Sequence, residues 1–276
     1  MLFPKNVGRS VIDHIKPIWD DNNRPDSDRA LEMYIVLARL QGLLLSDVIK
    51  MCVGNNVYGG PFKGMVMTPE VLIGHYSPSL LGCYEHELHD IIERIIARPY
   101  KQIINIGCAY GYYTVGLARR MPEAKIYSYD IDDVVLKKCA DMVKANDVGN
   151  RVTLGAEFRG EDYEKFAGPE TLVLMDIEGA EMGLLDPVAY PALKNMDVLV
   201  ELHDCDNPAI SKTIVSRFIH THEVEFVRNQ PKQYPLDEIF GSGYNIHHLD
   251  YMVASWEGRS GPTPWGFMTR KGKYPK

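Results

Sequence analysis

The sequence has no run of about 20 uninterrupted apolar residues, which excludes a membrane-spanning helix as a reading of any segment. Its opening stretch, MLFPKNVGRSVIDHIK, has no apolar signal core, so a cytoplasmic protein is the expectation. Cysteine is sparse: Cys52, Cys83, Cys108, Cys139 and Cys205 are dispersed, odd in number and form no CxxC pair. Free thiols in a reducing compartment fit this better than a disulfide framework. Positive charge is also short, with 30 Lys and Arg against 37 Asp and Glu and a net charge of −7. That leaves no broad attraction to phosphate backbones and makes nucleic acid an unexpected substrate. There is no internal repeat and no low-complexity segment. His86-Glu87-Leu88-His89 falls one residue short of the HExxH zinc signature and reads as a solvated helix face.

What is present begins with ordinary globular composition, 276 residues that are 45% hydrophobic and 24% charged, enough for one sizeable core and a smaller subdomain. The most informative stretch is Ile103 to Asp132. Ile103, Ile104 and Ile106 make a short apolar strand of the kind covered on both faces. Gly107 and Gly111 bracket a turn whose missing side chains admit a ligand to the backbone, and the helix that follows aims its free N–H groups at the same place. Asp130 ends the next strand, where a carboxylate accepts hydrogen bonds from ribose hydroxyls. These features imply a cofactor carrying adenosine. The dinucleotide fingerprint GxGxxG is absent, because Ala109 occupies the place of its second glycine. A turn followed by Tyr112 and Tyr113 suits a ligand without pyrophosphate, such as S-adenosylmethionine, more than NAD.

A second constellation lies further on. Thr171 to Glu181, TLVLMDIEGAE, is an apolar strand ending in Asp176, Glu178 and Glu181. Asp197 to Asp204, DVLVELHD, is another, ending in Glu201, His203 and Asp204. In open α/β sheets ligands bind outside the carboxyl ends of strands, so these groups are expected beside the glycine turn. His203 is the first candidate base, since histidine titrates near neutral pH. Asp176 and His203, with Glu201 or Asp204, are candidate ligands for a divalent ion that lowers the pKa of an attacking hydroxyl.

Gly107, Gly111, Asp130, the DxEGxE run at Asp176, Glu178, Gly179 and Glu181, and the ELHD strand end together resemble a class I S-adenosylmethionine-dependent methyltransferase of the FkbM type. The resemblance covers roughly residues 81 to 271. It implies donor contacts from Glu85, Asn105, Gly107, Cys108, Gly111, Tyr112, Asp130, Ile131 and Asp176, with Glu157 near the adenine amino group. Asn105 stands where an acid often precedes the first glycine, and Tyr110 where the family commonly has Asn. Tyr84-Glu85 resembles a family element lining the donor pocket, so Glu85 or Glu87 is expected to replace the acid missing at Asn105. Arg259 and Trp265 read as loop anchors, with Arg259 able to pair with an acidic substrate group.

The expected architecture is a doubly wound, Rossmann-like α/β fold with a mostly parallel sheet, an antiparallel C-terminal edge and an N-terminal helical extension. Residues 1–80 form that extension, for oligomerisation as a homodimer or as a lid, and 81–276 the donor-binding domain. Residues 1 to 25 read as a loop or loosely attached arm, and Asp28 to Met51 as a helix with Leu31, Tyr34, Ile35, Ala38, Leu45, Val48 and Ile49 on one face. Another helix is expected over Tyr84 to Ala97. Elements then alternate through strands 125–130, 151–156, 171–176 and 198–202 and helices 112–121, 133–146 and 209–221, before strands 223–228 and 266–270. The long connector from Asn229 to Pro264, with Pro231, Pro235, Gly241 and Gly243, reads as a lid or binding loop. The expected reaction is O-methylation of a small molecule or sugar hydroxyl, with Mg2+ as a possible cofactor. The alternatives are N-methylation, NAD-dependent oxidoreduction, and a donor-binding partner protein without catalysis.

Overall fold

A computed structural model describes residues 7–72, 76–230, 234, 236–241, 246–259 and 261–272. Residues 1–6 of the expected arm, and Pro231, Pro235 and Gly243 of the expected connector, lie outside the described residues. The chain divides into two compact units. One comprises Met1–Tyr84 with Pro231–Gly258, the other Glu85–Gln230 with Arg259–Lys276.

The first unit opens with helices where a loop was expected. Helix α1 spans Val7–Trp19 and carries Pro17 inside it. Val11, Ile15 and Ile18 turn inward at helical spacing, a short signal that Pro17 and the polar residues around it obscure. Helix α2, Asp26–Val53, follows, with Asp26 and Asp28 in its first turn and Lys50 in its last, each complementing the helix dipole. Gly54, at φ +71°, ends it. The one-turn helix α3 covers Ser77–Leu81.

The second unit is built on seven strands. The helix expected from Tyr84 starts later, because Glu85 adopts φ +47°; a 3-10 turn at His86–Leu88 leads into α4, His89–Ile96. There follow β1 (Gln102–Ile106), α5 (Tyr112–Arg120), β2 (Lys125–Tyr129), α6 (Asp133–Ala145), β3 (Val152–Gly155) and β4 (Thr171–Met175). The remainder is α7 (Glu181–Leu184), β5 (Asp197–Glu201), α8 (Ile210–Phe218), β6 (His222–Val227) and β7 (Trp265–Arg270). The strand order is β3-β2-β1-β4-β5-β7-β6. Pairs from β3 through β5 are parallel, while β7 runs antiparallel to both β5 and β6. This is the doubly wound sheet with an antiparallel C-terminal edge that the alternation of elements predicts. Alternate residues Ile104, Ile106, Val173, Met175, Val198 and Val200 face Leu193, Met196, Ile210, Ile214 and Phe218 in one continuous core.

Between β6 and β7 the chain belongs to the first unit, where α9 (Leu236–Phe240) and α10 (His248–Ala254) pack on α2. The apolar stripe of α2 divides accordingly. Leu45, Val48 and Ile49 are buried, whereas Leu31 and Tyr34, on the half expected to share that buried face, are exposed. Among the described residues no helix is long and apolar enough to cross a membrane.

The antiparallel edge is fastened by a buried charge. The Asp197 carboxylate, at the start of β5, accepts from Tyr100 Oη at 2.6 Å and from Arg270 N and Nε at 3.0 and 3.2 Å. Its removal leaves Arg270 without its counter-charge. Asp197→Ala is expected to cost about 3–5 kcal/mol of unfolding free energy, and Tyr100→Phe about 1.5–3 kcal/mol. Urea denaturation checks both; equal, sub-kcal effects would show that this pair does not hold the edge.

Candidate active site

The sheet order reverses direction between β1 and β4, and the crevice beyond the carboxyl ends of strands at such a switch is where open α/β sheets bind ligands. The glycine turn lies there. Asp176 N donates to Ile106 O, so the ends of β1 and β4 stay paired up to the turn. A Cβ on Gly107 would lie 1.6 Å from Asp176 O, and Gly107 has φ +78°. A Cβ on Gly111, φ +94°, would meet Cys139 Sγ at 2.7 Å. Both glycines are therefore required by close approach as well as by backbone conformation. Gly111 precedes α5 with no side-chain cap, which sets the N-terminus of that helix beside the turn.

Asp130 does more than offer a carboxylate to a ligand. Its Oδ2 accepts from Ala109 N at 2.9 Å and its Oδ1 from Asp132 N at 3.0 Å, which ties the end of β2 to the turn after β1. Ile131 beside it is exposed. Glu157 is exposed and paired with Arg159 Nη2 at 2.8 Å. Cys108 and Tyr112 are buried; hydrogen bonding with Cys139 and burial push the Cys108 thiol up. Asn105 is turned away from the turn. Its amide donates to Thr114 Oγ1 at 3.0 Å, and Thr114 shares a hydrogen bond with Ser128, in a buried polar ladder across β1, α5 and β2.

The acids after β4 and β5 do gather beside the turn. His203 is buried, with Nδ1 2.7 Å from Glu181 Oε1. Its Nε2 lies 3.3 Å from Glu178 Oε2 and 3.7 Å from Asp176 Oδ1 and Glu201 Oε2. Glu181 also accepts from Gly179 N at 3.0 Å. Burial acts to lower the His203 pKa, but the Glu181 hydrogen bond and the charges of Glu181, Glu201 and Glu178 outweigh it and raise it. Burial, reinforced by Glu201 and Glu85, holds the Asp176 carboxyl well above the usual carboxylate range. Asp204 is not part of this cluster. Its two oxygens take Ser211 N at 2.9 Å and Ser211 Oγ at 2.6 Å, securing the start of α8.

The countercharge comes from Arg259, read in the sequence as a loop anchor able to pair with an acidic substrate group. Its Nη1 pairs with Glu201 and its Nη2 with Glu85 Oε1 at 2.9 Å. Glu85 further accepts from Tyr113 Oη. The acid expected to substitute for Asn105 is thus present near the strand ends but neutralised within the protein. Asn229 adds a tether, donating to Glu87 Oε1 at 3.0 Å and accepting from Thr263 N at 3.0 Å. No spacing signal could have found these partners: Arg259 lies 58 residues from Glu201 and 174 from Glu85, and Asn229 lies 142 from Glu87. Three of the four described non-glycine residues with positive φ, Glu85, Ala109 and Glu178, fall in this region, and strained backbone of this kind concentrates at functional sites.

No family model matches the chain, and no curated protein does. Among solved structures it is similar to the O-methyltransferase TomG from Streptomyces achromogenes in complex with S-adenosylmethionine, at 13% identity over 67% of this chain and 79% of that one, TM-score 0.45. It is similar also to cofactor-bound Rv0187 from MTB, at 14% identity over 89% and 96%, TM-score 0.47. An rRNA methylase from Streptococcus thermophilus matches at 9% identity over 67% and 96%, TM-score 0.46. Likeness this distant says nothing about the reaction of this chain.

The close approach at Gly107 is directly testable. Gly107→Ala must displace the Asp176 carbonyl, and a loss of about 3 kcal/mol or more is expected. Gly168→Ala, where nothing lies within 4 Å, is expected to stay within about 0.5 kcal/mol of the parent. Thermal denaturation of the two variants decides it: similar melting points would remove the steric argument.

Proposed function

We propose that this chain transfers the methyl group of S-adenosylmethionine to a hydroxyl of a small molecule or sugar. The observation that carries the reading is the juxtaposition at one switch point of a glycine turn, Asp130 and the Asp176–His203 pair. The turn and the start of α5 receive the amino acid part of the donor, Asp130 the ribose hydroxyls, and Ile131 one face of the adenine, with Glu157 close to its amino group.

Methyl transfer demands alignment more than covalent help from the protein. The acceptor oxygen attacks the methyl carbon as the carbon–sulfur bond breaks, the bonding pair passes to sulfur, and the product is the neutral thioether S-adenosylhomocysteine. The hydroxyl proton must leave, and Asp176 and His203 are the groups placed to handle it. A dinucleotide fits less well: Ala109 stands where a pyrophosphate needs glycine, and its N–H is held by Asp130.

Titration calorimetry with S-adenosylmethionine, S-adenosylhomocysteine and NAD tests the reading. Both sulfur nucleotides are expected to bind and NAD not to. Asp130→Ala is expected to lose at least tenfold in donor affinity, since it gives up ribose contacts and frees the Ala109 turn. His203→Ala is expected to keep donor affinity within about threefold, while S-adenosylhomocysteine release in an acceptor screen falls by about 10²–10⁴. Binding of NAD alone would make hydride transfer the working reaction instead.

A further inference from the structure

Two of the five free cysteines meet at the glycine turn. Cys108 is the residue after Gly107, and Cys139 lies in the middle of α6. Their thiols share a hydrogen bond in which Cys108 donates, and Cys139 accepts a second from Thr114 of α5. The fit around the Cys139 sulfur is close. A Cβ on Gly111 would stand 2.7 Å from Cys139 Sγ, so glycine at that place is what leaves the sulfur its room. Cys108 also builds the turn with its backbone: its N–H donates to Tyr129 O at 3.0 Å and its carbonyl accepts from Gly111 N at 2.9 Å. The two sulfurs therefore join α6 to the segment that carries Ala109 and Gly111.

The two thiols are not equivalent. The hydrogen bond from Cys108, helped by that from Thr114, draws the Cys139 thiol down against the effect of burial, whereas the same shared bond and burial push Cys108 up. One sulfur thus favours the thiolate while its neighbour keeps a proton, which is the pairing that disulfide formation uses. Both side chains are buried, Cys108 at 4% exposure and Cys139 at 0%. Only a small reagent, met during local opening, reaches them.

We propose that Cys108 and Cys139 form a reversible oxidation site that takes a hydroperoxide as oxidant, and that its disulfide draws the glycine turn out of its ligand-binding shape. The Cys139 thiolate attacks a peroxide oxygen, the O–O bond breaks, and the sulfur becomes a sulfenic acid while the alcohol leaves with the proton that Cys139 gave up. The Cys108 sulfur then attacks the oxidised sulfur, the S–O bond breaks, and water leaves with the Cys108 proton. Two thiols and one hydroperoxide give one disulfide, one alcohol and one water, and a thiol reductant reverses the bond. A disulfide holds its sulfurs about 2.05 Å apart, well inside hydrogen-bond distance, so α6 and the turn must move together. Ala109, which follows Cys108 at φ +45° and is tied to Asp130 through its N–H, takes up the shift. The effect on the donor rests on the proposed methyl transfer; the bond between the sulfurs does not.

The full chain, reduced and then exposed to hydrogen peroxide, is digested with trypsin in the absence of reductant. Cleavage after Lys101, Arg119, Lys138 and Lys144 places the two cysteines in peptides 102–119 and 139–144. Mass spectrometry is expected to find these two peptides linked, and dithiothreitol to separate them. S-Adenosylhomocysteine is expected to bind the oxidised chain about tenfold or more weakly than the reduced chain, with affinity regained on reduction. Cys139→Ser should give no linked peptide and the same affinity before and after peroxide, while Cys52→Ser, which removes an exposed thiol, should behave as the parent. No linked peptide from the oxidised parent overturns the site, and that result needs no variant, so the test stands even if Cys139→Ser does not fold. Equal donor affinity of the oxidised and reduced parent overturns it too. A reduced chain that binds no donor sinks the methyl transfer instead, and the linked peptide then decides the disulfide by itself.

Discussion

Everything at the strand ends depends on how closely the backbone after β1 approaches the backbone after β4. With no Cβ at Gly107, the Asp176 carbonyl can lie against the turn, and the Asp176 N–H can pair with Ile106. This contact makes the glycine turn and the acid cluster one object. A shift in either strand end moves both, because Asp130 ties the turn to β2 while Asp176 belongs to the cluster itself. Rigid positioning of this kind is what a reaction that relies on alignment requires.

The second constraint is electrostatic. Buried acids are tolerated only where a partner or a proton neutralises them. Arg259 provides one partner and His203 another, and Asp176, buried and beside Glu201 and Glu85, holds its proton more tightly. The position of Arg259 and the protonation of Asp176 are therefore linked through Glu201 and Glu85, which both pair with the same cation.

The fold was legible because its signals are local. Apolar runs such as Ile103–Ile106 and Thr171–Met175, broken by Gly107 and by the polar stretch after Met175, announce buried strands, and their alternation with helices implies the sheet. Asp130, Asp176 and His203 could be named because strand ends are where such sheets place ligands. What sequence could not deliver are relations across long separations. Arg259 is 174 residues from Glu85, its partner, and nothing in WEGRSGPTPWGF indicates which carboxylates it meets. The hydrogen bond from the Asn105 amide to Thr114 in α5 is likewise invisible in the strand pattern of β1. Helix α1 was hidden by Pro17, and the exposure of Leu31 and Tyr34 could not be anticipated from a stripe that, although Gln41 and Gly42 interrupt it, resumes in the buried half of α2.

The placing of β7 between β5 and β6 has a consequence for biogenesis. Strand β6 reaches the sheet only through β7, and β7 follows it after the long passage through the other unit. While the chain emerges from the ribosome, β5 presents an open edge and β6 has no strand to pair with until residues 265–270 arrive. Unpaired strand edges are templates for association with other chains, and pairings of large sequence separation form slowly. The closure of this sheet thus waits on β7, and until it arrives the edge of β5 is open to other chains.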